Sequence, residues 1–188
     1  MGHTTLPKDS GSRREFATGA HRDNATGKGR CDLLPLAQVA AVMRDPVIDE
    51  VGKFMEDHDV AHLAEAIRLS MRTVGRFNYE SVKAEMEATG IEMPELTDDT
   101  AKQTATLAYM MIEASHLYEA GAIKYGANNW KRGMPLSCYI DSGVRHYLKT
   151  LRGDADEPHY RGFVWNLLCA MWTATEVPDA FEGFNICE

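Results

Sequence analysis

Apolar residues recur every three or four positions along most of the chain from Leu33 onward. This period, broken by proline and glycine, predicts a succession of helices. We expect helices over residues 36–43, 47–55, 60–77, 79–89 and 135–152, a long helix capped at 97–98 that ends at 125, and a last helix over 157–175. No stretch alternates apolar and polar residues with many β-branched side chains, so no sheet is expected. The pattern predicts an all-α helical bundle.

Two of these helices are expected to form much of the core. The long helix carries its apolar residues on one side, so this side is predicted to be buried: Leu107, Met111, Tyr118 and Ile123. Apolar residues nearly encircle the last helix, which predicts a central position for it: Phe163, Val164, Leu167, Leu168, Met171 and Trp172.

The first 32 residues differ from the rest of the chain. They are rich in Gly, Ser, Thr, Asn and charged residues and show no period, which predicts a disordered basic arm followed by a single all-α domain over 33–188. Six basic residues and three acids lie within residues 1–30, whereas the whole chain has a net charge of -8. The acidic total argues against a nucleic-acid binder, and the arm is expected to fold back or to hold an anionic ligand.

The first residues of the 188-residue chain contain no apolar stretch typical of a signal peptide, and no apolar run is long enough to span a membrane. Its four cysteines have no metal-finger spacing. We therefore expect a cytoplasmic protein without membrane contact, with its thiols reduced.

Acidic residues near helix ends suggest a metal site. Mg²⁺ prefers carboxylate oxygens together with substrate phosphates, and Mn²⁺ accepts the same ligands. The candidate ligands are Glu119, Asp141, Asp156 and Glu157. Each has a simpler alternative role, since Asp141 and Arg145 have the spacing of a surface ion pair and Glu157 could complement a helix dipole.

Among the histidines, His146 and His159 follow polar residues near helix ends, where an imidazole can serve as general base, metal ligand or phosphate contact. His116, on a largely apolar helix, is more often a core residue. His21, His58 and His62 are predicted to lie on the surface.

The segment 124–130 combines a cation, amides and aromatic rings, which suit a nucleotide. Basic residues are the predicted phosphate ligands: Arg13, Arg14, Lys28, Arg30, Lys124 and Arg145. Other polar and aromatic residues complete the predicted substrate contacts: Tyr125, Asn129, Trp130 and Asn166. The alternative is a helix end capped by Gly126 with Trp130 sealing the core, and for the arm a solvated tail.

Several short motifs occur in one order: residues 12–20, 27–30 with 32–35, 121–126, 129–130, 142–146, and 157–159 with 165–166. In this order they resemble a phage-associated family of dATP/dGTP diphosphohydrolases, which is similar to the all-α MazG-like nucleoside triphosphate pyrophosphohydrolases. The resemblance covers residues 10–35 and about 117–170. Residues 36–116 show no such motif and are expected to be a divergent or inserted helical section.

The resemblance implies hydrolysis of a purine deoxynucleoside triphosphate to the monophosphate and pyrophosphate, with Mg²⁺ on helix-borne carboxylates. It also implies a homo-oligomer, dimer or tetramer, and a host-cytoplasmic location if the chain is phage-encoded. The chain departs from the E-E-x-x-E and E-x-x-D helices of the MazG-like enzymes, because Glu113 and Glu119 lack that spacing and Asp141 has no partner acid three residues away.

Glu119, His146 and His159 are the predicted catalytic residues. Because of the departure from the acid motifs, a non-catalytic nucleotide-binding phage protein, a sensor or a sequestering protein, remains the main alternative. A helical interaction protein whose basic arm binds a partner is a second one.

Overall fold

A computed structural model describes residues 13–24, 27–73 and 78–177. Its helices are α1 (Leu36–Met43), α2 (Pro46–Asp57), α3 (Val60–Thr73), α4 (Tyr79–Ala88), α5 (Asp99–Tyr125), α6 (Leu136–Arg152) and α7 (His159–Glu176). Short 3₁₀ helices cover Cys31–Leu33 and Asn129–Arg132. The prediction of an all-α bundle is confirmed, and the helix ends differ from the expected ones by a few residues. Residues 74–77, predicted to extend α3, lie outside the described ranges.

Local side-chain chemistry explains where the helices begin and end. The carboxylate of Asp45 accepts the N–H of Val47 at 2.9 Å, and Asp98 accepts the N–H of Ala101 at 2.6 Å, so α2 and α5 start on capped turns. α6 ends at Gly153, whose φ of 86° lies in the left-handed region that glycine adopts without strain. The chain can therefore turn sharply between α6 and α7.

α7 lies at the centre of the bundle, as predicted. It packs against α6, α5 and α3. Phe163, Val164 and Leu167 are fully buried, and the ring of Phe163 lies 5.1 Å from that of Tyr147 on α6. This contact between α6 and α7 brings the last turns of α6 next to the first turn of α7.

The prediction of which side of α5 is buried is partly wrong. Met110 and Ala114 are buried, Leu107, Met111 and Tyr118 pack at the edge of the core, but Ile123 is 75% exposed. Ile123 lies nine positions after Ala114, which corresponds to two and a half turns of an α-helix. Ile123 therefore points away from the core although it is apolar.

The arm is ordered where the structure describes it, which corrects the prediction of a disordered segment without strands. β1 (Arg13–Glu15) and β2 (His21–Asp23) pair as a short antiparallel hairpin. Asn129 holds the hairpin against the bundle, because its side chain accepts the N–H of His21 and donates to the carbonyl of the same residue, both at 2.9 Å. Residues 1–12 and 25–26 lie outside the described part of the chain.

Among the described residues, Cys31 and Cys169 are free thiols. Within the described ranges, no helix has the length and apolar character needed to cross a membrane.

Candidate active site

The turn between α6 and α7 brings two histidines together. His146 lies in the last turns of α6, and His159 is the first residue of α7. Because Gly153 reverses the chain between them, their Nδ1 atoms lie 3.1 Å apart. The sequence predicted both residues as functional but gave no indication that they would touch.

Glu157 completes a group of three donor atoms with these histidines. Its Oε1 lies 3.2 Å from Nδ1 of His159 and 3.7 Å from Nδ1 of His146. Ligands that share one metal ion at bond lengths of about 2.0–2.2 Å lie about 3.0–3.6 Å apart. The three atoms are therefore already spaced approximately as the ligands of a single ion. We call His146, Glu157 and His159 the metal triad.

Asp156 orients one member of the metal triad. Its Oδ1 lies 2.8 Å from Nε2 of His159, and its Oδ2 lies 3.6 Å from the ammonium of Lys149. A carboxylate on the far nitrogen of an imidazole fixes the ring and its tautomer, leaving Nδ1 available as a ligand. The hydrogen bond from His159 also holds the pKa of Asp156 below its usual value.

The two histidines of this site are largely buried. His159 is 3% exposed. Burial lowers the pKa of His146 to about 3, and the nearby His159 and Arg145 act in the same direction. A neutral imidazole has a free lone pair, which is the form that binds metal ions.

Gly162 is the reason the ring of His146 fits against α7. A Cβ built at Gly162 would lie 2.6 Å from Cδ2 and 2.7 Å from Nε2 of His146. Any larger residue would displace the ring, so the position of Nδ1 depends on a glycine one turn into α7.

A pocket of about 490 Å³ opens beside the metal triad. One wall is the segment from Asp154 to Tyr160, and Thr150 of α6 adds to it. Ser81 and Glu85 of α4 also line the pocket. Its volume lies within the range of about 300–1,000 Å³ that small-molecule sites occupy.

Asp141, a predicted metal ligand, lies in a different environment. It is 2% exposed, and its carboxylate accepts hydrogen bonds from Arg145 at 2.5 Å and from the N–H of Cys31 at 2.7 Å. Arg145 also donates to the carbonyl of Gly29 at 2.9 Å. The alternative reading of Asp141 and Arg145 as an ion pair matches these contacts, with the difference that the pair is buried and fastens the arm to α6.

Other predicted phosphate ligands of the arm have protein partners. Arg30 binds the carboxylate of Asp32, with two hydrogen bonds at 2.6 and 2.7 Å. Arg14 donates to the sulfur of Cys138 at 3.5 Å. Lys28 has an exposed side chain, and its carbonyl lies 3.5 Å from Nη1 of Arg145.

Asn166 and Arg22 connect the hairpin to α7. Arg22 donates to Oδ1 of Asn166 at 2.6 Å, and its guanidinium lies over the rings of Tyr139 and Trp165. The same Asn166 donates to the carbonyl of Gly162 at 2.6 Å, one turn earlier in α7. Burial lowers the pKa of Arg22. Asn166 thus links the arm to the helix turn that supports His146.

The end of α5 contacts the outer face of the hairpin. Lys124 and Tyr125 both bind Asp23 at 2.5 Å, and the guanidinium of Arg13 lies 5.4 Å from the Tyr125 ring centre. Arg13, Lys124 and Tyr125 border a second pocket of about 420 Å³. The ring of Trp130 packs between other aromatic rings, at 5.1 Å from Trp172.

Glu119 lies near His116 and is not a member of the metal triad. Its side chain is 71% exposed, and one carboxylate oxygen lies 3.8 Å from His116. Within the described residues, the side-chain groups spaced for a metal ion combine His146, Glu157 and His159, or Asp154, Asp156 and His159. Neither group includes Glu119 or Asp141.

The structure therefore brings together four of the predicted site residues, which are His146, Asp156, Glu157 and His159. Sequence reasoning missed several neighbours of this cluster: Glu85, Lys149, Asp154 and Arg22. Lys149 follows His146 by three residues and Asp154 precedes Asp156 by two, so spacing indicated both. Glu85 and Arg22 are distant in sequence, and no local signal predicted them.

Residues 94–180 match the family model described as dATP/dGTP diphosphohydrolase, N-terminal. The match includes α5, α6 and α7 and therefore the whole metal triad, begins inside the section expected to be divergent, and does not include the arm. No curated protein and no solved structure is significantly similar to the chain.

Proposed function

We propose that this chain hydrolyses a purine deoxynucleoside triphosphate to the monophosphate and pyrophosphate with a divalent metal, because residues 94–180 match the family model of the dATP/dGTP diphosphohydrolases. The family description names the substrates and a hydrolase. The cleavage position, the metal and the residues that hold it are the parts that this proposal adds.

The observation that supports the proposal is the spacing within the metal triad. Three donor atoms from His146, Glu157 and His159 converge within 3.1–3.7 Å of one another beside a pocket of nucleotide size. Glu157 is 29% exposed and His146 is 23% exposed at the side chain, so this side of the triad is open to a ligand.

The donor set favours Mn²⁺ over Mg²⁺. Imidazole nitrogens suit transition metals, whereas carboxylates suit Mg²⁺, Ca²⁺ and Mn²⁺, and Mn²⁺ accepts both. The second group of donors, Asp154 and Asp156 with His159, contains two carboxylates, the ligand type that Mg²⁺ prefers. A bound divalent ion would neutralise phosphate charge and lower the pKa of the attacking water.

The protein residues around the ion have separate tasks. Asp156 fixes His159 through its Oδ1, and Gly162 lets the ring of His146 lie close to α7. His146 has a pKa of about 3, so it is a weak base and acts as a ligand.

Four carboxylates line the pocket, and the two cations beside them are already paired. Lys149 lies near Asp156, and Arg152 binds Asp154 at 2.7 Å. A triphosphate would therefore be repelled without a metal ion, which makes the activity strictly metal-dependent. The predicted role of Glu119 stays a prediction, as does assembly into a dimer or tetramer.

The test is a panel of pyrophosphate-release assays over all dNTPs and NTPs, with Mn²⁺ or Mg²⁺, on the wild type, Glu157→Gln and Glu92→Gln. Glu92 is exposed and far along the chain from the triad, so it controls for the loss of one charge. We expect release from purine dNTPs with the wild type and the control, and a loss of about a hundredfold in Glu157→Gln.

The same assays separate the two functions left open by the sequence. If the wild type releases no pyrophosphate from any nucleotide but nucleotides raise its melting temperature, the chain is a non-catalytic nucleotide-binding protein. Equal activity in Glu157→Gln and the wild type would exclude the metal triad as the site.

A further inference from the structure

Two separate parts of the chain line the pocket beside the metal triad. Glu157 and His159 of the metal triad line it at the start of α7, and α4 contributes Ser81 and Glu85. Lys102 of α5 binds Glu80 at 2.7 Å and the phenol of Tyr79 binds the carbonyl of Pro94, so α4 is fastened to its neighbours. The wall that α4 forms therefore has a defined position.

Tyr160 lines the same pocket, and its side chain is held in place by hydrogen bonds. Its hydroxyl donates to Glu113 at 3.0 Å and lies 3.3 Å from the hydroxyl of Tyr109. Arg161 also binds the carboxylate of Glu113, which is 9% exposed. Burial raises the pKa of Tyr160, so its phenol remains protonated. The ring is thus held by a hydrogen-bonded network behind it.

Glu85 presents a carboxylate to the pocket next to this ring. It is exposed, lines the pocket and interacts with the phenol of Tyr109. A carboxylate is an acceptor with two oxygens, and it binds best to two neighbouring donors. Glu85 therefore offers a pair of acceptor oxygens to the pocket, in addition to the donor atoms of the metal triad.

The residues that the sequence predicted for the nucleoside have other partners. Asn129 is bound to both backbone groups of His21, and Asn166 is bound to Arg22. Trp130 has its ring packed against Tyr118 at 5.2 Å. Base recognition by these three side chains would require the arm or the aromatic cluster to open.

From these placements we infer that Glu85 selects the purine by binding the edge of the base that carries N1–H and the 2-amino group. This inference rests on the proposed function. Guanine has two adjacent donors on this edge, whereas adenine has one amino donor beside the acceptor N1, which a carboxylate repels. Glu85 thereby makes dGTP a better substrate than dATP.

The test compares kcat/KM for dGTP, dITP and dATP in the wild type, Glu85→Gln and Glu87→Gln. Hypoxanthine keeps N1–H but lacks the 2-amino group, so the wild type should use dITP less well than dGTP. The amide of Gln has one donor and one acceptor, which match adenine. We therefore expect Glu85→Gln to lower the ratio of dGTP to dATP by about tenfold or more.

Glu87 is the matched control, because it lies on the same helix, is exposed and pairs with Lys83 outside the pocket. An unchanged dGTP-to-dATP ratio in Glu85→Gln, or an equal change in Glu87→Gln, overturns the inference while leaving the hydrolysis intact. If no variant has activity, the proposed function fails. The melting-temperature shifts caused by dGTP and dATP in the same three proteins then decide the role of Glu85.

Discussion

Nδ1 of His146 and Nδ1 of His159 lie 3.1 Å apart, although the two residues are separated by a complete turn between helices. In a metal-free chain a hydrogen bond between them requires a proton on one Nδ1, whereas coordination of one ion by both requires that proton to move to Nε2 of the same ring. Their separation is thus compatible with either a hydrogen bond or shared coordination.

Gly162→Ala should disturb His146 directly. The added methyl would lie 2.6 Å from the imidazole, so the ring or the first turn of α7 must shift. We expect a loss of about 1–3 kcal/mol in the free energy of unfolding and a weaker metal response, measured by denaturant melts with and without Mn²⁺.

Gly121→Ala is the matched control, since nothing lies within 4 Å of the methyl it would add to α5. It should be neutral or stabilise the protein by up to about 1 kcal/mol. Equal stability of the two variants would show that His146 does not depend on Gly162.

Asp156→Asn should weaken metal binding without removing a donor from the metal triad. The amide oxygen keeps the shape of the side chain but loses the charge that orients His159 at 2.8 Å. We expect Mn²⁺ affinity to fall about 10–100-fold in calorimetric titrations. Asp99→Asn, in the exposed first turn of α5, should leave the affinity unchanged. A wild-type affinity in Asp156→Asn would mean that the carboxylate does not support the ligand.

His62 should make stability depend on pH. Its Nδ1 lies 2.6 Å from Glu50, and its Nε2 lies 3.1 Å from Asp57. The hydrogen bond with Glu50 raises the pKa of His62 above 6.5. Its contribution to stability is therefore full below the unfolded-state pKa and is lost as the pH rises through the raised pKa.

The check is the difference in melting temperature between the wild type and His62→Gln. This difference should be larger at about pH 6 than at about pH 9, because the charged form is the one that the fold favours. A difference that is constant with pH would exclude the charged interaction.

Asn129→Ala should release the hairpin. Asn129 is 7% exposed, and its side chain binds the backbone N–H and carbonyl of His21. Its loss leaves these two backbone groups of β2 without these hydrogen bonds. We expect faster trypsin cleavage after Arg22 and a cost of about 1–3 kcal/mol in the free energy of unfolding.

Asn128→Gly is the control for this change. Asn128 is exposed with a φ of 60°, which glycine adopts easily, so the cleavage pattern should not change. Cleavage after Arg22 at the wild-type rate in Asn129→Ala would show that other contacts hold the arm.

The helices could be predicted from the sequence because their ends depend on local chemistry. Asp45, Asp98 and Gly153 act within one turn of their own position, so each signal is visible in a short window. The hairpin was missed for the opposite reason. Its strands have three residues each, and their charged side chains give no alternating pattern, so pairing depends on Asn129 far along the chain.

The site could be predicted only in part. His159 and Glu157 are close in sequence, and their segment is recognisably polar. The contact of His146 with His159 depends on how Gly162 lets α6 and α7 approach, which is a tertiary effect. The same limit applies to Glu119 and Asp141, whose surroundings are set by the exposed side of α5 and by the docked arm.

The most direct test of the metal triad is an electron paramagnetic resonance titration of Mn²⁺ into the full chain, which reports free Mn²⁺. We compare the wild type with the double variant His146→Ala and Glu157→Gln, after circular dichroism has shown that both are folded. The account predicts that the wild type binds Mn²⁺ at one site and that the double variant binds it at least about a hundredfold more weakly. Equal binding by the two folded proteins would contradict it.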